Sequence, residues 1–314
     1  MNNAGYSYLY GPVPSRRLGR SLGIDLVPYK ICSYDCVYCQ LGSCGSTTTI
    51  RDEYFPVDSI LSELERRLSE GDQLDYISLA GSGEPTLHSR IGDLLSGIKA
   101  MTSIPVAVLT NGSLLWMPEV QDALLTADLV LPSLDAGDAA TFQLVNRPDG
   151  QIQFEQMVSG LEQFTRRFNG QVWLEVLLLE GIADNEQSVR KIAALVERIQ
   201  PAKVQLNTVS RPPAEGYARG VSSIALQQIS QLFPGTVEII SDTVSLSIVP
   251  TTADLSHHIE ILALLRRRPC TALDLAQGLN LHMNDLLKQL HRMESEGVVR
   301  EAVDRPGFYL ATQP

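Results

Sequence analysis

Short apolar strand patterns alternate with amphipathic helical patterns along residues 24–240, and this alternation constrains the fold more than any other feature of the sequence. In the pattern at 57–68, for example, Ile60, Leu64 and Leu68 share one helical face. Strands that alternate with helices of this length predict a mostly parallel sheet covered by helices. The predicted strands are 24–27, 75–80, 105–109, 128–134, 171–179 and 203–208, with an extra strand at 236–240; the predicted helices are 57–68, 91–101, 117–126, 154–168, 185–199 and 223–232.

The number of strand–helix units limits the architecture. Six units are fewer than the eight that close a complete barrel. An open sheet and a partial barrel both fit the pattern, and periodicity alone does not choose between them. At 314 residues the chain exceeds one average domain, which favours one large and one small domain. Its composition, 44% hydrophobic and 19% charged, excludes disorder, collagen and coiled coil as descriptions of the whole chain.

The pattern changes after the last strand of this alternation. Residues 242–254 predict a crossing strand and a linker. They are followed by a helix from 256, helices at 271–278 and 282–296, and a hairpin that turns at 304–307. Three short helices and a hairpin are typical of a winged helix-turn-helix. We therefore divide the chain into a large domain at 1–245, a linker at 246–255 and a small domain at 256–314.

The charge of the chain restricts its partners. A net charge of −11 disfavours a generally basic nucleic-acid binder, and residues 256–314 hold seven basic and seven acidic residues. A recognition helix that reads DNA is usually basic, so DNA is an unfavoured partner, while peptide docking, a dimer contact or guiding of a tRNA stay open. No apolar run is long enough to span a bilayer, and the start lacks a secretory signal. We therefore expect a cytoplasmic protein with no membrane partner.

Four of the five cysteines lie within residues 32–44, which is too crowded for independent core residues. The odd count and the missing signal argue against a disulfide framework. Cys32, Cys36 and Cys39 have the spacing CxxxCxxC, whereas zinc would normally take four ligands in two separated pairs, and the nearest histidine is His88. Three clustered thiolates suit a [4Fe–4S] cube with one open iron. The alternative is a structural metal knuckle or chance clustering.

Short polar residues follow several predicted strands, at the edge where parallel α/β folds place their sites. Each has an ordinary interpretation too, as a glycine-rich turn, an Asn-Gly turn, a solvated loop arginine or a buried carboxylate with a partner. The candidates are Ser82, Gly83 and Glu84 of the sequence SGEP after the second strand, Asn111 after the third, Ser133 and Asp135 after the fourth, Arg147 in the loop beyond, Glu175 inside the fifth strand, and Asn207 at the end of the sixth.

The CxxxCxxC loop after the first strand, followed one unit later by SGEP, resembles the radical S-adenosylmethionine (SAM) superfamily. The resemblance implies a partial (β/α)6 barrel, with one [4Fe–4S] cluster whose fourth iron binds the amino and carboxylate groups of SAM. It implies that the SGEP turn receives the SAM amino group, although Ser82 replaces the first glycine of the family motif. The implied cluster ligands are Cys32, Cys36 and Cys39. The implied SAM contacts are Tyr38 near the adenine, Ser82, Gly83 and Glu84 at the amino group, Ser133 and Asp135 at the ribose and carboxylate, and Asn111 beside them. Arg147, which could pair with a carboxylate or phosphate, is a further cofactor-binding candidate, and we interpret Glu175 as lining the SAM or substrate cavity.

A narrower resemblance covers about residues 10–250. The opening GPVPSRRLGRSLGIDLVPYKICSYDCVYCQLG, with SGEPTLH and VNRP, is similar to an Fe–S oxidoreductase group related to the wyosine-forming tRNA enzymes. Those enzymes carry further cysteines for a second cluster ahead of the triad, and this chain has no cysteine before Cys32, so their reaction is not implied. We interpret Cys44 as a plain thiol and Cys270 as structural, and expect one cluster.

By this resemblance the chain is a radical SAM enzyme. A reduced cluster passes one electron to SAM, the S–C5′ bond breaks, and the 5′-deoxyadenosyl radical abstracts hydrogen from a substrate, possible substrates being tRNA and a peptide. The implied electron donor is a protein such as flavodoxin or ferredoxin. The alternative is a redox-sensing Fe–S winged-helix regulator without radical catalysis, which would need none of the SAM-site residues. Arg16, Arg17 and Arg20 either grip an anionic substrate or pair with acidic residues.

Overall fold

The computed structural model describes residues 6–43, 45–240, 257–279, 281, 283–303 and 305–312. In its larger part, strands and helices alternate as the hydrophobic pattern predicts. The strands are β1 (Leu9–Ser15), β2 (Gly19–Ile24), β3 (Tyr76–Leu79), β4 (Val106–Thr110), β5 (Leu129–Pro132), β6 (Gln171–Leu178), β7 (Lys203–Thr208) and β8 (Val237–Ile239). The helices are α1 (Val57–Leu68), α2 (Ile91–Met101), α3 (Pro118–Leu124), α4 (Ala139–Val145), α5 (Phe154–Arg167), α6 (Glu186–Ile199) and α7 (Ser223–Ser230), with one 3-10 turn at Pro85–Leu87.

All eight strands form one sheet whose spatial order follows the chain from β1 to β8. The pairs from β2 to β8 are parallel, and β1 is antiparallel to β2. Every crossover steps in the same direction, as in the wall of a barrel, whereas a doubly wound sheet reverses its order. The carboxyl ends of the parallel strands therefore meet along one rim, where the candidate residues follow them.

The apolar periodicity explains the outer layer of helices. In α6, Val189, Ile192, Val196 and Ile199 are buried against the sheet, while the helix begins at a side-chain cap in which Asn185 accepts from the backbone N–H of Ser188. None of the helices in the described ranges combines the length and the apolar composition that a bilayer span requires.

The first predicted strand, 24–27, is wrong in position, because the chain forms β2 at Gly19–Ile24 instead. One face of β2 is polar or bare: Ser21 donates to Ser78 of β3 at 2.9 Å, and the ring of Tyr10 lies over Gly23. An added Cβ at Gly23 would lie 2.1 Å from that ring. Because Ser and Gly take the place of apolar residues on this face, the hydrophobic pattern does not show β2, and β1 is likewise missed.

The C-terminal segment forms three helices and a small antiparallel sheet. The elements are α8 (His257–Arg267), β9 (Cys270–Thr271), α9 (Ala272–Gly278), α10 (Met283–Ser295), β10 (Val299–Glu301) and β11 (Phe308–Ala311), and the strand order is β10-β11-β9. Leu275, Leu286 and Leu290 are in its core, which also takes in Val13 of β1. Cys270 is a buried free thiol there. The winged helix-turn-helix assignment and the domain boundaries stay predictions, and the predicted linker at 246–255 lies outside the described residues.

Candidate functional site

The cysteine loop connects β2 to α1 and presents three free thiols, those of Cys32, Cys36 and Cys39. Burial is the main reason why the pKa of Cys32 rises to about 12 and that of Cys36 lies well above its usual value. Cys39 raises both pKa values further, so the sulfurs are close enough to repel one another as thiolates. Three partly buried thiolates this close together need cationic metal to be stable, and thiolate ligands suit an iron–sulfur cluster. Cys44 lies outside the described residues.

Each of the three sulfurs has an N–H donor, two of them from distant parts of the chain and one, Lys30, from the cysteine loop itself. The contacts are Asn111 Nδ2 to Cys32 Sγ at 3.6 Å, Asn146 Nδ2 to Cys36 Sγ at 3.5 Å, and Lys30 Nζ to Cys39 Sγ at 3.2 Å. Hydrogen bonds to ligating sulfurs are a standard means of tuning iron–sulfur clusters. Within the described residues, however, no three His, Cys, Asp or Glu side chains form a group that could hold a metal ion as they stand.

The SGEP turn after β3 is held tightly against the cysteine loop. The backbone N–H of Lys30 donates to the Ser82 carbonyl at 2.6 Å, and that of Ser82 donates to Asp25 Oδ1 at 2.6 Å. An added Cβ at Gly83 would lie 2.0 Å from the carbonyl oxygen of Ile31, so only glycine permits this approach. The turn is thus positioned by the same loop that carries the cysteines.

Glu84 fixes this turn to the next one. Its carboxylate accepts from the backbone and hydroxyl of Thr86, from the Thr110 hydroxyl at 2.6 Å and from the Asn111 backbone N–H at 2.7 Å. Burial raises the pKa of Glu84, against the lowering effect of these hydrogen bonds. With its lone pairs occupied by neutral donors, Glu84 acts in this structure as a positioning residue for Asn111.

Asp135 plays the matching part after β5. It accepts from the Tyr38 hydroxyl, from Asn146 Nδ2 at 2.7 Å and from the Leu177 backbone N–H at 3.0 Å. Burial raises its pKa to about 6, although these hydrogen bonds oppose the rise. Ser133 lies next to this site, in a backbone bridge with Glu175. Asp135 therefore brings together Tyr38, which precedes the last cysteine, and Asn146, which donates to Cys36.

Two further candidates pair with charged or polar neighbours. Arg147 donates to Glu215 at 2.6 Å and to the Tyr217 hydroxyl at 2.9 Å. Glu175 accepts from Arg17 and from Asn207 Nδ2 at 2.9 Å. Burial opposes the charge on Glu175, but Arg17 and Asn207 together hold its pKa below the usual value.

Two basic residues of the opening block, Arg17 and Arg20, pair with acids within the described ranges. Arg17 binds Glu175, and Arg20 lies 3.6 Å from Asp72. Arg16 donates to the Ser210 hydroxyl at 3.3 Å. The pairing alternative therefore holds for Arg17 and Arg20.

Comparison with known families decides which class of site this is. The family model of the radical SAM superfamily matches residues 26–195, more than half of the chain, including the three cysteines and all the proposed SAM contacts. The chain belongs to the radical SAM superfamily. Radical SAM enzymes use a [4Fe–4S] cluster and SAM, so the chain is an enzyme with these cofactors. The donor chemistry of the cysteine loop fits the cluster.

Relatives and solved structures agree with this family. A protein of Brachyspira hyodysenteriae named GTPase Obg is 40% identical over 94% of this chain, which spans only 44% of that relative. A UPF0026 protein of Methanocaldococcus jannaschii is 34% identical, with 71% of this chain and 70% of that protein covered. The structure of TYW1 with a lysine-pyruvate adduct bound has a TM-score of 0.52 at 15% identity and covers 71% of this chain and 74% of that one.

These similarities support different conclusions about the chain. The TYW1 likeness shows that the parallel sheet is the partial barrel of the radical SAM fold. The name GTPase is not carried over, because this sequence contains no GxxxxGK[S/T] loop of the kind that cradles nucleotide phosphates. The sequence reasoning missed Lys30 and Asn146 as sulfur donors. A signal for Asn146 was present, since it directly precedes Arg147 in the VNRP motif.

Proposed function

We propose that this radical SAM enzyme holds one [4Fe–4S] cluster through Cys32, Cys36 and Cys39 and cleaves SAM reductively to modify a substrate. The observation that carries this proposal is the set of three partly buried free thiols on one loop, each with its own N–H donor. When bound, the cluster supplies one electron to SAM and so generates the 5′-deoxyadenosyl radical. The chain's own residues, Asn111, Asn146 and Lys30, orient the sulfurs through their N–H donors.

The proposed SAM contacts surround this loop on the rim of the barrel. We assign the amino group of SAM to the backbone of the SGEP turn, whose Gly83 lets the chain approach closely. Tyr38 would lie along the adenine with its hydroxyl fixed by Asp135. The remaining members of the proposed site are Ser82, Glu84, Asn111, Ser133, Arg147 and Glu175, of which Glu84 acts by positioning Asn111.

The proposal includes a reducing partner and a substrate. A flavodoxin or ferredoxin would supply the electron in the cytoplasm, and a tRNA or a peptide is the proposed substrate. The network of Glu84, Asp135 and Asn146 supports an enzyme rather than a redox-sensing regulator. A sensor would need the cysteines, but it would not need three strand ends tied together around them.

Anaerobic reconstitution tests the proposal directly. The loaded protein, a strong reductant and SAM are expected to yield 5′-deoxyadenosine, and a fully loaded protein that yields none would overturn the enzyme assignment. Cys32→Ala is expected to lose the cluster, measured as bound iron and sulfide and by EPR. The matched control Cys44→Ala is expected to keep the cluster, so equal loss in both variants would contradict the ligand assignment.

A further inference from the structure

Six arginines gather where the end of β7 meets the C-terminal segment, and we call this group the arginine junction. Its members are Arg16, Arg17, Arg211, Arg267, Arg268 and Arg305. Arg16 and Arg268 both lie close to Arg211, Arg17 lies with Arg16 beside Glu175, and Arg267 lies with Arg268 beside Tyr10. Three of them meet at residues 209–211, just after β7. Arg305 Nη2 donates to the Val209 carbonyl at 3.4 Å, and Arg16 Nη1 donates to the Ser210 hydroxyl at 3.3 Å. Arg211 itself donates from Nη1 to the Pro269 carbonyl at 3.2 Å. A concentration of this kind is unexpected in a chain with a net charge of −11.

The carboxylates at the junction do not balance these charges. Three arginines each have one acid: Arg267 pairs with Asp25, Arg17 with Glu175, and Arg211 lies 3.8 Å from Asp274. Among the residues that the structure describes, Arg268 and Arg305 have no carboxylate partner. Among the described residues, the five arginines other than Arg16 therefore have three carboxylate partners, which leaves an excess of positive charge.

Burial makes this excess costly. The side chain of Arg211 is only 13% exposed, and burial, with Arg268 and Arg16 nearby, lowers its pKa to about 10. Arg305 Nη1 is buried and has no hydrogen-bond partner among the described residues. Clustered guanidinium groups out of water are stable when an anion lies between them. The junction thus has the charge and the free donors for an anionic ligand.

The junction also adjoins the proposed SAM site. Arg17 binds Glu175, the residue whose backbone bridges to Ser133 at the end of β5. Glu175 is close enough to Asp135 to raise its pKa, and Asp135 is in turn close to Cys36. Neighbouring polar groups therefore link the junction to the cysteine loop, from Arg17 through Glu175 and Asp135 to Cys36.

We propose that the arginine junction binds a phosphate group of the substrate. Guanidinium groups bind phosphate oxygens in paired hydrogen bonds, and donors that approach from several elements suit a tetrahedral, doubly charged anion better than a planar, singly charged carboxylate. The assignment to the substrate, rather than to another ligand, rests on the function proposed above. It adds a chemical class, a phosphate-bearing substrate, that the superfamily does not specify.

Calorimetric titration of the reconstituted protein with inorganic pyrophosphate tests the site, at constant ionic strength and with SAM saturating. Saturable binding is expected, with Kd raised about tenfold in Arg268→Gln, a change that one charge-assisted contact supplies. Arg305→Gln is expected to act in the same direction, which covers the case in which one variant misfolds. The matched control is Arg190→Gln, on the outer helix α6, whose side chain is 61% exposed and pairs with Glu186.

The outcomes separate this proposal from the proposed function. Absence of saturable binding, equal loss in Arg190→Gln, or equally tight binding of citrate would overturn the phosphate site even in a protein that makes 5′-deoxyadenosine. Junction-dependent binding of pyrophosphate by a loaded protein that makes no 5′-deoxyadenosine would keep the site and overturn the proposed function. Tighter binding of ADP than of pyrophosphate would support the site and indicate a nucleotide, whereas equal binding would support it and indicate phosphate alone.

Discussion

Glu84 and Asp135, which lie near the cysteine loop, are held by neutral donors, whereas the carboxylates at the arginine junction are held by guanidinium groups. Glu84 accepts from hydroxyl and backbone groups, and Asp135 accepts from a tyrosine, an amide and a backbone N–H. Glu175, by contrast, accepts from Arg17. Burial accordingly raises the pKa of Glu84 and Asp135, while that of Glu175 is lowered. Buried carboxylates of one barrel thus have two kinds of environment: a neutral one, with hydroxyl, amide and backbone donors, and a charged one, with an arginine.

The difference matches the charges of the two proposed ligands. SAM carries a positive sulfonium, which suits Glu84 and Asp135, the proposed SAM-site carboxylates whose donors are neutral; Glu175, the third, pairs with Arg17. A phosphate requires the opposite, and the junction supplies it. Asp25 joins the two environments, since it accepts from the Ser82 backbone N–H on one side and from Arg267 on the other. The C-terminal segment is in this way connected directly to the SGEP turn.

Glu175→Gln removes the carboxylate that pairs with Arg17 and should lower the free energy of unfolding more than the other variants. Arg17, whose side chain is 18% exposed, would lose its carboxylate, and breaking such a pair costs about 3–5 kcal/mol. Denaturant unfolding measures this loss, and the double variant with Arg17→Met is expected to recover part of it. A loss below about 1 kcal/mol, as for a surface pair, would contradict the buried environment.

The neutral environment of Asp135 should make the stability of the folded protein depend on pH. Its pKa is about 6 in the folded chain and 3.8 as its ordinary value, so the folded state binds more protons between these pH values. The free energy of unfolding must then fall as pH rises: the stabilising effect is complete below pH 3.8 and is lost through pH 6, on the order of 3 kcal/mol in all.

The measurement compares the cluster-free wild type with Asp135→Asn at several pH values. Asparagine keeps an acceptor for Tyr38 and does not titrate, so the difference in unfolding free energy between the two proteins isolates this carboxyl. A wild type that gains stability relative to the variant as pH rises would show that Asp135 is held as a carboxylate.

Glu84→Gln tests the neutral environment without a pH change and should have a smaller effect. One carboxylate oxygen becomes an amide NH2 that faces a donor, either the Asn111 backbone N–H or the Thr110 hydroxyl. A buried donor left without an acceptor costs about 2 kcal/mol. Denaturant unfolding should give that loss with little dependence on salt, and a strongly salt-dependent loss would indicate an unrecognised cation beside Glu84.

The sequence predicts regular helices and strands well, but it does not predict which distant residues meet at the site. The predictions 57–68, 91–101 and 203–208 coincide with α1, α2 and β7, since each has a strong apolar pattern. The β1–β2 edge was missed because Ser21 and Gly23 stand on its polar face. The donors to sulfur were missed because Lys30, Asn111 and Asn146 come from three different loops that only the folded barrel brings together.

Substitution of Lys30 is expected to have the smallest effect of these variants. Lys30 is a cation close to the cysteine loop, but it donates to a sulfur rather than to a carboxylate. Its backbone has φ 64°, a conformation that favours glycine, so the lysine side chain is kept at some conformational cost. An ammonium 3.2 Å from Cys39 Sγ stabilises added negative charge. Lys30→Met is therefore expected to lower the midpoint potential of the bound cluster by tens of millivolts, in a redox titration followed by EPR at equal iron content. Lys191→Met, whose ammonium pairs with Asp138 on the outer helix layer, should leave the potential unchanged. An unchanged or raised midpoint potential in the Lys30 variant would mean that the ammonium does not stabilise the reduced cluster.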